Sequence, residues 1–470
     1  MPDIQEYDLI VVGGGIAGLA AANRAAELGL RVALLERGAE ERYLCNSRMS
    51  GGVLHVAFHS INDSAETLIE AVNVATKGHA DPALVRALAH TSARAGDWIK
   101  GQGVKFVRMS LVVDWQNRVM APPRRIMAGA DWYGRGPDYA LRTLANNLIG
   151  RGGRIVQGAE AFSLMECGGA CVGVSVRMRG NEHHISSTAV VLADGGFQGN
   201  LALLDKYITS APEKLKQRGA STGVGDGLRM AQEFGAAITD LRYFYGHLLS
   251  RDAFSNPRAW PYPQLDELAT AGILVDGNGR RFADEGAGGV YLANAVAKLE
   301  NPLSTWAVFD KAIWEGPGRN ARIPANPHLI RAGGTILQAD TLNELARLMN
   351  VPGQILEDTV MAHRRAVASN GFDQLNPPRS LPKDKSWLID RPPYYAAPVC
   401  AGITYTFGGV AIDADSRVQS LSGAPIAGLY AAGATTAGLE GRSGATYVGG
   451  LMKGLVFGIR AAEHVARIRH

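Results

Sequence analysis

Three glycines, Gly13, Gly15 and Gly18, stand at GxGxxG spacing directly after the apolar run of residues 7–12, and a carboxylate, Glu36, ends the next apolar run. Each glycine has a mechanical reason: one makes the tight turn, one lets backbone approach a pyrophosphate, one lets a helix lie close on a strand. Residues from Leu19 to Leu28 are strong helix formers and Gly29 closes them, so the sequence predicts a strand, a helix and a second strand, with the helix amides facing phosphates. Glu36 falls about 20 residues past the glycines, where a carboxylate accepts both hydroxyl hydrogens of an adenosine ribose and repels a 2′-phosphate. This is dinucleotide-binding chemistry, and the spacing alone does not choose between NAD and FAD.

Later strings settle the choice by resemblance. Val-Val-Leu-Ala-Asp-Gly-Gly-Phe (190–197), Thr-Gly-Val-Gly-Asp-Gly (222–227), Gly-Arg-Arg-Phe-Ala-Asp-Glu (279–285) and Gly-Leu-Tyr-Ala-Ala-Gly (428–433) occur in that order. Together they resemble the fumarate reductase and succinate dehydrogenase flavoprotein superfamily. The Asn46-Ser47-Arg48 segment with Gly51 and Gly52, and the stretch around Gly96-Asp97-Trp98, are most similar to tricarballylate dehydrogenase and its relatives. The resemblance covers essentially the whole chain and implies an α/β fold: a Rossmann-type FAD-binding domain with an inserted α+β capping domain.

It also implies which residues touch FAD: Gly13, Gly15, Ile16, Ala17, Gly18, Glu36 and Arg37, then Asn46, Ser47, Ser50, Gly51 and Gly52. Ala159, Ala193, Asp194, Gly195 and Asp226 follow, with Gly433, Ala434, Gly449 and Leu451 near the end. Where relatives carry a histidine bonded to the flavin this chain has Asn46, which implies non-covalent FAD. Where they hold the ribityl chain with a glutamate it has Ala434, and the hydroxyls of Thr435 and Thr436 are the expected substitutes.

Members of the superfamily move a hydride between a substrate carbon and flavin N5 while a second group moves a proton on the adjacent carbon. The arginine that delivers this proton in fumarate-type enzymes aligns with Gly289, their paired histidines with Thr404 and Tyr405, and a further arginine has no counterpart near Leu268. Simple fumarate or succinate chemistry is therefore not expected. His247, Tyr291, Tyr405, Arg442 and Tyr447 remain as catalytic candidates, and tyrosines as acid and base resemble the 3-ketosteroid dehydrogenases. Tyr405 is the first choice for proton transfer. Arg442 has two readings, a grip on a single substrate carboxylate or a salt bridge to Glu440 or Asp226.

The leading expectation is an FAD-dependent dehydrogenase or ene-reductase acting on a CH–CH bond next to a carbonyl or carboxylate of a small molecule. The alternatives are a flavoprotein of another class using NAD(P)H, for which there is no CxxC and no second GxGxxG, or a non-catalytic electron carrier. No haem-attachment or iron–sulfur pattern names the electron acceptor, so a partner protein, a quinone and oxygen all stand.

These residues need scaffolding. The FAD-binding domain is expected over 1–238 and 396–470, with the capping domain at 239–395, where Pro and aromatic residues cluster in Trp260-Pro261-Tyr262-Pro263. Runs at 154–156, 171–178 and 188–193 are expected in a small inserted sheet, a helix near 340–370, and a terminal apolar helix over 447–468. The 48 Lys+Arg and 44 Asp+Glu give a net charge of +4 with no long like-signed run, which does not suggest nucleic acid. Cys45, Cys167, Cys171 and Cys400 form no metal-ligand spacing, so no metal is expected, and with no apolar run of membrane-spanning length the reading is a cytoplasmic protein with reduced thiols.

Overall fold

The computed structural model describes residues 6–110, 114–122, 132, 134–239, 241–321, 323–380, 387–440 and 446–469. They fall into two compact units, one formed by Met1–Asn200, Gly219–Tyr243 and Tyr405–His470, the other by Leu201–Arg218 and Phe244–Thr404.

In the first unit, β1 (Leu9–Val12), β2 (Val32–Glu36), β3 (Arg154–Gln157), β4 (Val190–Leu192), β5 (Arg417–Gln419) and β6 (Pro425–Ala431) form one sheet in the order β5-β6-β4-β1-β2-β3. All neighbours are parallel except β5 and β6. Every residue of β1 and β2 is buried, as the unbroken apolar runs require of strands covered on both faces. Chain order reverses at β1, which lies between β4 and β2, and such a switch point opens a crevice at the strands' carboxyl ends.

The helix α1 (Ile16–Glu27) leaves β1 through the glycine turn, and α2 (Gly450–Arg469) packs along it. Backbone meets backbone here: a Cβ on Gly18 would lie 1.9 Å from the Gly13 carbonyl oxygen, and one on Gly458 2.4 Å from that of Ala17. The strands Ala159–Cys167, Ala170–Met178 and Asn181–Ser186 make a separate antiparallel sheet. Of the three runs assigned to that small sheet, only 171–178 lies in it. β3 and β4, the other two, join the parallel sheet because they extend the register of β2 and β1. Cys167 and Cys171 lie on either side of a hairpin turn, as expected.

The second unit is organised on the strand Tyr394–Thr406, whose residues through Thr404 belong to it. Trp306–Asp310 and Leu337–Ala339 pair antiparallel with this strand, Lys216–Gln217 pairs parallel, and Phe244–Ser250 also joins it. These pairings move the expected boundaries. The unit begins after Tyr243, it ends at Thr404 instead of 395, and the excursion 201–218 belongs to it because Lys216 and Gln217 are ladder partners of Gly402 and Ile403. The polar stretch expected to be helical comprises Leu342–Met349, begun by a capping box of Thr341 and Glu344, and Gly353–Ser369. No helix among the described residues is long and apolar enough to cross a membrane.

The Arg-Arg-Phe string belongs to the framework of this unit. Glu285 is completely buried; it accepts from Arg281 Nη2 at 2.5 Å and Nε at 2.9 Å and from the Leu274 amide at 3.1 Å, with Arg379 at 3.8 Å. Removing the carboxylate leaves two buried guanidinium groups without their counter-charge. Glu285→Gln is expected to cost about 3–5 kcal/mol of stability, measured by urea unfolding; a loss below ~1 kcal/mol contradicts this account.

Candidate functional site

In the first unit the glycine turn and the carboxylate after it are locked together. Glu36 Oε2 accepts from the Gly14 amide and Oε1 from the Gly38 amide, each at 2.8 Å. Burial pushes its pKa up, and the two amides act against that. Tyr43 closes the turn from the other side, donating to the Gly14 carbonyl at 2.7 Å with the Arg48 guanidinium over its ring. Arg48 itself is buried against Asp138, which Arg42 also engages.

The remaining expected cofactor residues fall around this turn. Ile16, Ala17 and Gly18 begin α1, and the Ile16 amide donates to Ser47 Oγ at 3.0 Å, which carries the 46–52 segment up to the helix start. Ser50 Oγ donates to the Ser47 carbonyl at 2.8 Å and the Met120 amide donates to that of Gly52 at 2.8 Å, with Gly51 between them exposed. Asn46 Oδ1 accepts from the Ala220 amide at 2.6 Å. Arg37 reaches Asp226 and Glu160, both at 3.0 Å, beside buried Ala159. Ala193, Asp194 and Gly195 follow β4; Gly433 and Ala434 follow β6; Gly449 and Leu451 flank the start of α2.

Asp194 ties these segments. It accepts from the Gly227 amide at 2.7 Å and from Thr435 Oγ1 at 3.2 Å, while the Gly195 amide donates to Thr435 Oγ1 at 2.9 Å. Burial, aided by Asp226, raises its pKa to about 6 against the Gly227 hydrogen bond. Thr435 and Thr436, the expected substitutes for the missing glutamate, both make hydrogen bonds inside this unit. Thr435 is held by Asp194, and Thr436 donates to the Gly433 carbonyl at 2.8 Å, so both hydroxyl hydrogens are spent within the protein.

Two of the catalytic candidates, Tyr405 and Tyr447, lie in the first unit with ring centroids 6.4 Å apart. Tyr405 Oη donates to Glu440, 3.0 Å from Oε1, and the buried Lys453 ammonium lies 3.3 Å from the same carboxylate, which also accepts from the Val448 amide at 3.0 Å. The sequence reading named Glu440 only as a partner for Arg442 and kept no role for Lys453. Tyr447 packs edge-on against His55, which burial holds neutral with a pKa lowered to about 4. Arg442 lies outside the described residues.

His247 and Tyr291 lie in the second unit. Tyr291 is half-buried on the helix Gly289–Ala297. His247 and Tyr245 project from one face of the strand Phe244–Ser250, two residues apart. His247 Nδ1 is bonded to Asp266, and Tyr245 Oη lies 2.9 Å from His247 Nε2. Arg218 Nη1 donates to Thr404 Oγ1 at 2.9 Å, and its Nε is buried with no hydrogen-bond partner among the described residues. Tyr245, Asp266 and Arg218 were missed; the Tyr-x-His spacing on a strand was a legible signal for the first, and nothing in the sequence signalled the other two.

The model of the FAD binding domain family matches residues 8–445, so the chain belongs to that family. It is 27% identical to a fumarate reductase (cytochrome) of Shewanella frigidimarina over 98% of this chain and 77% of the relative. It is 26% identical to the 4-oxocyclohexanecarboxylate 2-dehydrogenase of Sinomonas cyclohexanicum over 92% of this chain and 88% of that protein. In fold it is similar to the 3-ketosteroid-Δ4-(5α)-dehydrogenase of Rhodococcus jostii, with a TM-score of 0.73 at 22% identity, covering 98% and 97% of the two chains.

FAD is the cofactor, and the residues present fit it. Glu36 gives one lone pair per oxygen to backbone, which leaves a lone pair on each oxygen for a further donor such as a ribose hydroxyl. A Cβ on Gly195 would meet nothing within 4 Å, so open space adjoins the backbone there. The raised pKa of Asp194 carries a stability consequence for the flavin-free protein. The folded state holds this proton up to about pH 6 while the unfolded chain releases it near 3.8. Its contribution therefore favours folding below pH 4 and is lost as pH rises to 6. Asp194→Asn is expected to be more stable than the wild type at pH 8, by up to ~3 kcal/mol, with the difference closing below pH 4. Urea unfolding at both pH values measures it, and a gap independent of pH counts against the assignment.

Proposed function

From membership of the FAD-binding family, we propose that this protein is an FAD-dependent oxidoreductase of CH–CH bonds. It makes or removes a C=C bond next to a carbonyl or carboxylate, on a cyclic ketone or a small carboxylic acid carrying at most one carboxylate. Bound FAD supplies the acceptor or donor of the hydride. Glu36 holds the ribose, the start of α1 with Ser47 receives the pyrophosphate, and the backbone at Asp194–Gly195 and Gly433 lies along the cofactor. Asn46 offers no nucleophilic ring nitrogen, and its amide oxygen is committed to Ala220, which supports non-covalent binding.

The observation that carries the reaction class is the placement of Tyr405. A Cβ on Gly450, the first residue of α2, would lie 2.9 Å from Tyr405 Oη, so this phenol stands at the amide end of a twenty-residue helix with Glu440 and Lys453 buried behind it. Amides at a helix start stabilise negative charge on oxygen, the charge that grows on a carbonyl when the adjacent C–H bond breaks, while Tyr405, whose hydrogen goes to Glu440, presents lone pairs that can receive the proton of that bond.

The single-carboxylate limit rests on what stands at the aligned arginine and histidine positions, Gly289, Thr404 and Tyr405. The relative from Sinomonas is named for a substrate with one ring ketone and one carboxylate, a combination this reading accommodates. Electrons leave to, or arrive from, a partner protein, a quinone or oxygen. The four cysteines stand as free thiols, which supports a cytoplasmic location.

Anaerobic mixing of the FAD-loaded protein with saturated cyclic ketones and monocarboxylates is expected to bleach the oxidised-flavin absorbance for at least one of them. Tyr405→Phe is expected to slow that bleaching on the order of 10²-fold. Prompt reduction by NAD(P)H with no bleaching by any organic substrate would replace this reading with a pyridine-nucleotide-dependent flavoprotein.

A further inference from the structure

We propose that Phe58, floored by His55 and flanked by Trp115 and Tyr447, is the platform on which the substrate's body lies, so that the molecule this site takes is a ring-bearing ketone and not an open-chain acid. The proposal rests on the CH–CH reading above for its reaction and names the substrate class for it. Every residue it uses belongs to the first unit.

Phe58 is an exposed phenyl where the backbone does not favour one. The pairs His55–Val56 and His59–Ser60 form an antiparallel hairpin whose two-residue turn is Ala57 and Phe58. Both turn residues have positive φ, 44° and 60°. Such a turn takes Asn-Gly most readily, because a Cβ crowds the backbone in the left-handed region. Among the described non-glycine residues with positive φ, Phe58 is the only aromatic one; the others are Ala, Lys, Arg, Asn and Ser. Burial does not offset the strain, since Phe58 is 53% exposed. Strain held without a packing gain collects at binding sites.

The surroundings fix this ring in place. The Phe58 amide donates to His55 Nδ1 at 3.1 Å, the Ala57 amide donates to the Val448 carbonyl at 2.7 Å, and His59 Nδ1 lies 2.9 Å from the Ala57 carbonyl oxygen. The phenyl lies over the His55 imidazole with centroids 4.9 Å apart and planes 13° apart, and Trp115 meets it edge-on at 5.4 Å. Burial lowers the His55 pKa to about 4, so the floor is a neutral aromatic ring and not a cation. With one face on His55, the phenyl turns its opposite face to a ligand.

Tyr447 joins the platform to the reacting end. Its ring centroid lies 6.2 Å from that of Phe58 and 6.4 Å from that of Tyr405. Val448 registers the two ends: its carbonyl holds the hairpin turn, and its amide donates to Glu440, which accepts from Tyr405. A ketone with its oxygen at the start of α2 extends its body over Tyr447 toward Phe58. Flat rings gain stacked or edge contacts at such spacings, and a short aliphatic chain gains no comparable contact. None of the four platform side chains is charged, so a second carboxylate finds no cation on it.

The test measures binding without turnover. 2-Acetylnaphthalene and 3,3-dimethylbutan-2-one are ketones with and without rings, and neither has a CH–CH bond beside its carbonyl that could be desaturated. Calorimetric titration of the oxidised, FAD-loaded protein is expected to show saturable binding of the naphthyl ketone. Phe58→Asn tolerates positive φ and removes the ring; it is expected to weaken that binding about tenfold and to unfold in urea at no lower concentration than the wild type. Phe58→Tyr keeps the ring and is expected to bind within about threefold of the wild type. The ring-free ketone is expected to bind all three proteins alike. No saturable binding by the wild type, equal binding by Phe58→Asn, or a Phe58→Asn variant that weakens both ketones alike and loses urea stability overturns the platform and leaves the reaction class standing. A wild-type flavin bleached by no saturated ketone or monocarboxylate overturns the reaction class, and the ring platform then stands or falls on the titration alone.

Discussion

The first unit depends on backbone meeting backbone around α1. Gly18 lets the helix settle onto the turn it has just left, and Gly454 and Gly458 let α2 lie in van der Waals contact with Ile16 and Ala17. A helix so closely packed cannot drift, which fixes where its free amides point. The order of argument therefore runs from sterics to electrostatics: glycine and alanine at the contacts decide the helix position, and that position decides where an anion is stabilised. Because α2 is set by the same contacts, the amide end beside Tyr405 is registered to the amide end beside Ser47.

Buried charge is handled by one rule in both units. Asp138 with Arg48 and Arg42, Glu285 with Arg281 and Arg379, and Glu440 with Lys453 each place a carboxylate away from water only where cations and amide donors meet it. Asp194 differs. Its partners are a backbone amide and a hydroxyl, and its carboxylate neighbour Asp226 is turned toward Arg37. An acid that lacks a cation but links three segments of a cofactor cradle is the arrangement in which burial raises the pKa instead of being compensated. That gives the cradle a group responsive to the charge of whatever occupies it, while the fully paired carboxylates remain structural.

Much of this was legible in the sequence, for physical reasons that can be stated. The turn at Gly13–Gly18 and the acid at Glu36 were legible because strand, turn and helix are contiguous, so local periodicity and spacing carry the whole motif. The helix start at Asp226 was legible from the glycines on either side of it, whereas the last helix begins at Gly450, three residues later than expected. The small sheet was misassigned because an apolar run reads identically in a parallel and an antiparallel ladder, and only pairing partners distinguish them. The domain limits moved because a two-residue strand, Lys216–Gln217, has no period to detect and yet carries residues 201–218 into the second unit. Lys453 reads as a helix-surface residue by type; its burial follows from Glu440 thirteen positions earlier, which no local pattern connects to it.

Gly289 shows most clearly where sequence reading stops. Set against an expected arginine, a glycine reads as a loss, and the catalytic inventory appears short by one group. In three dimensions the vacated volume holds Asp266, which lies 23 positions away and beneath a strand whose side chains alternate Tyr245 and His247 onto one face. Where an arginine would put a permanent cation, this chain puts a carboxylate bonded to an imidazole.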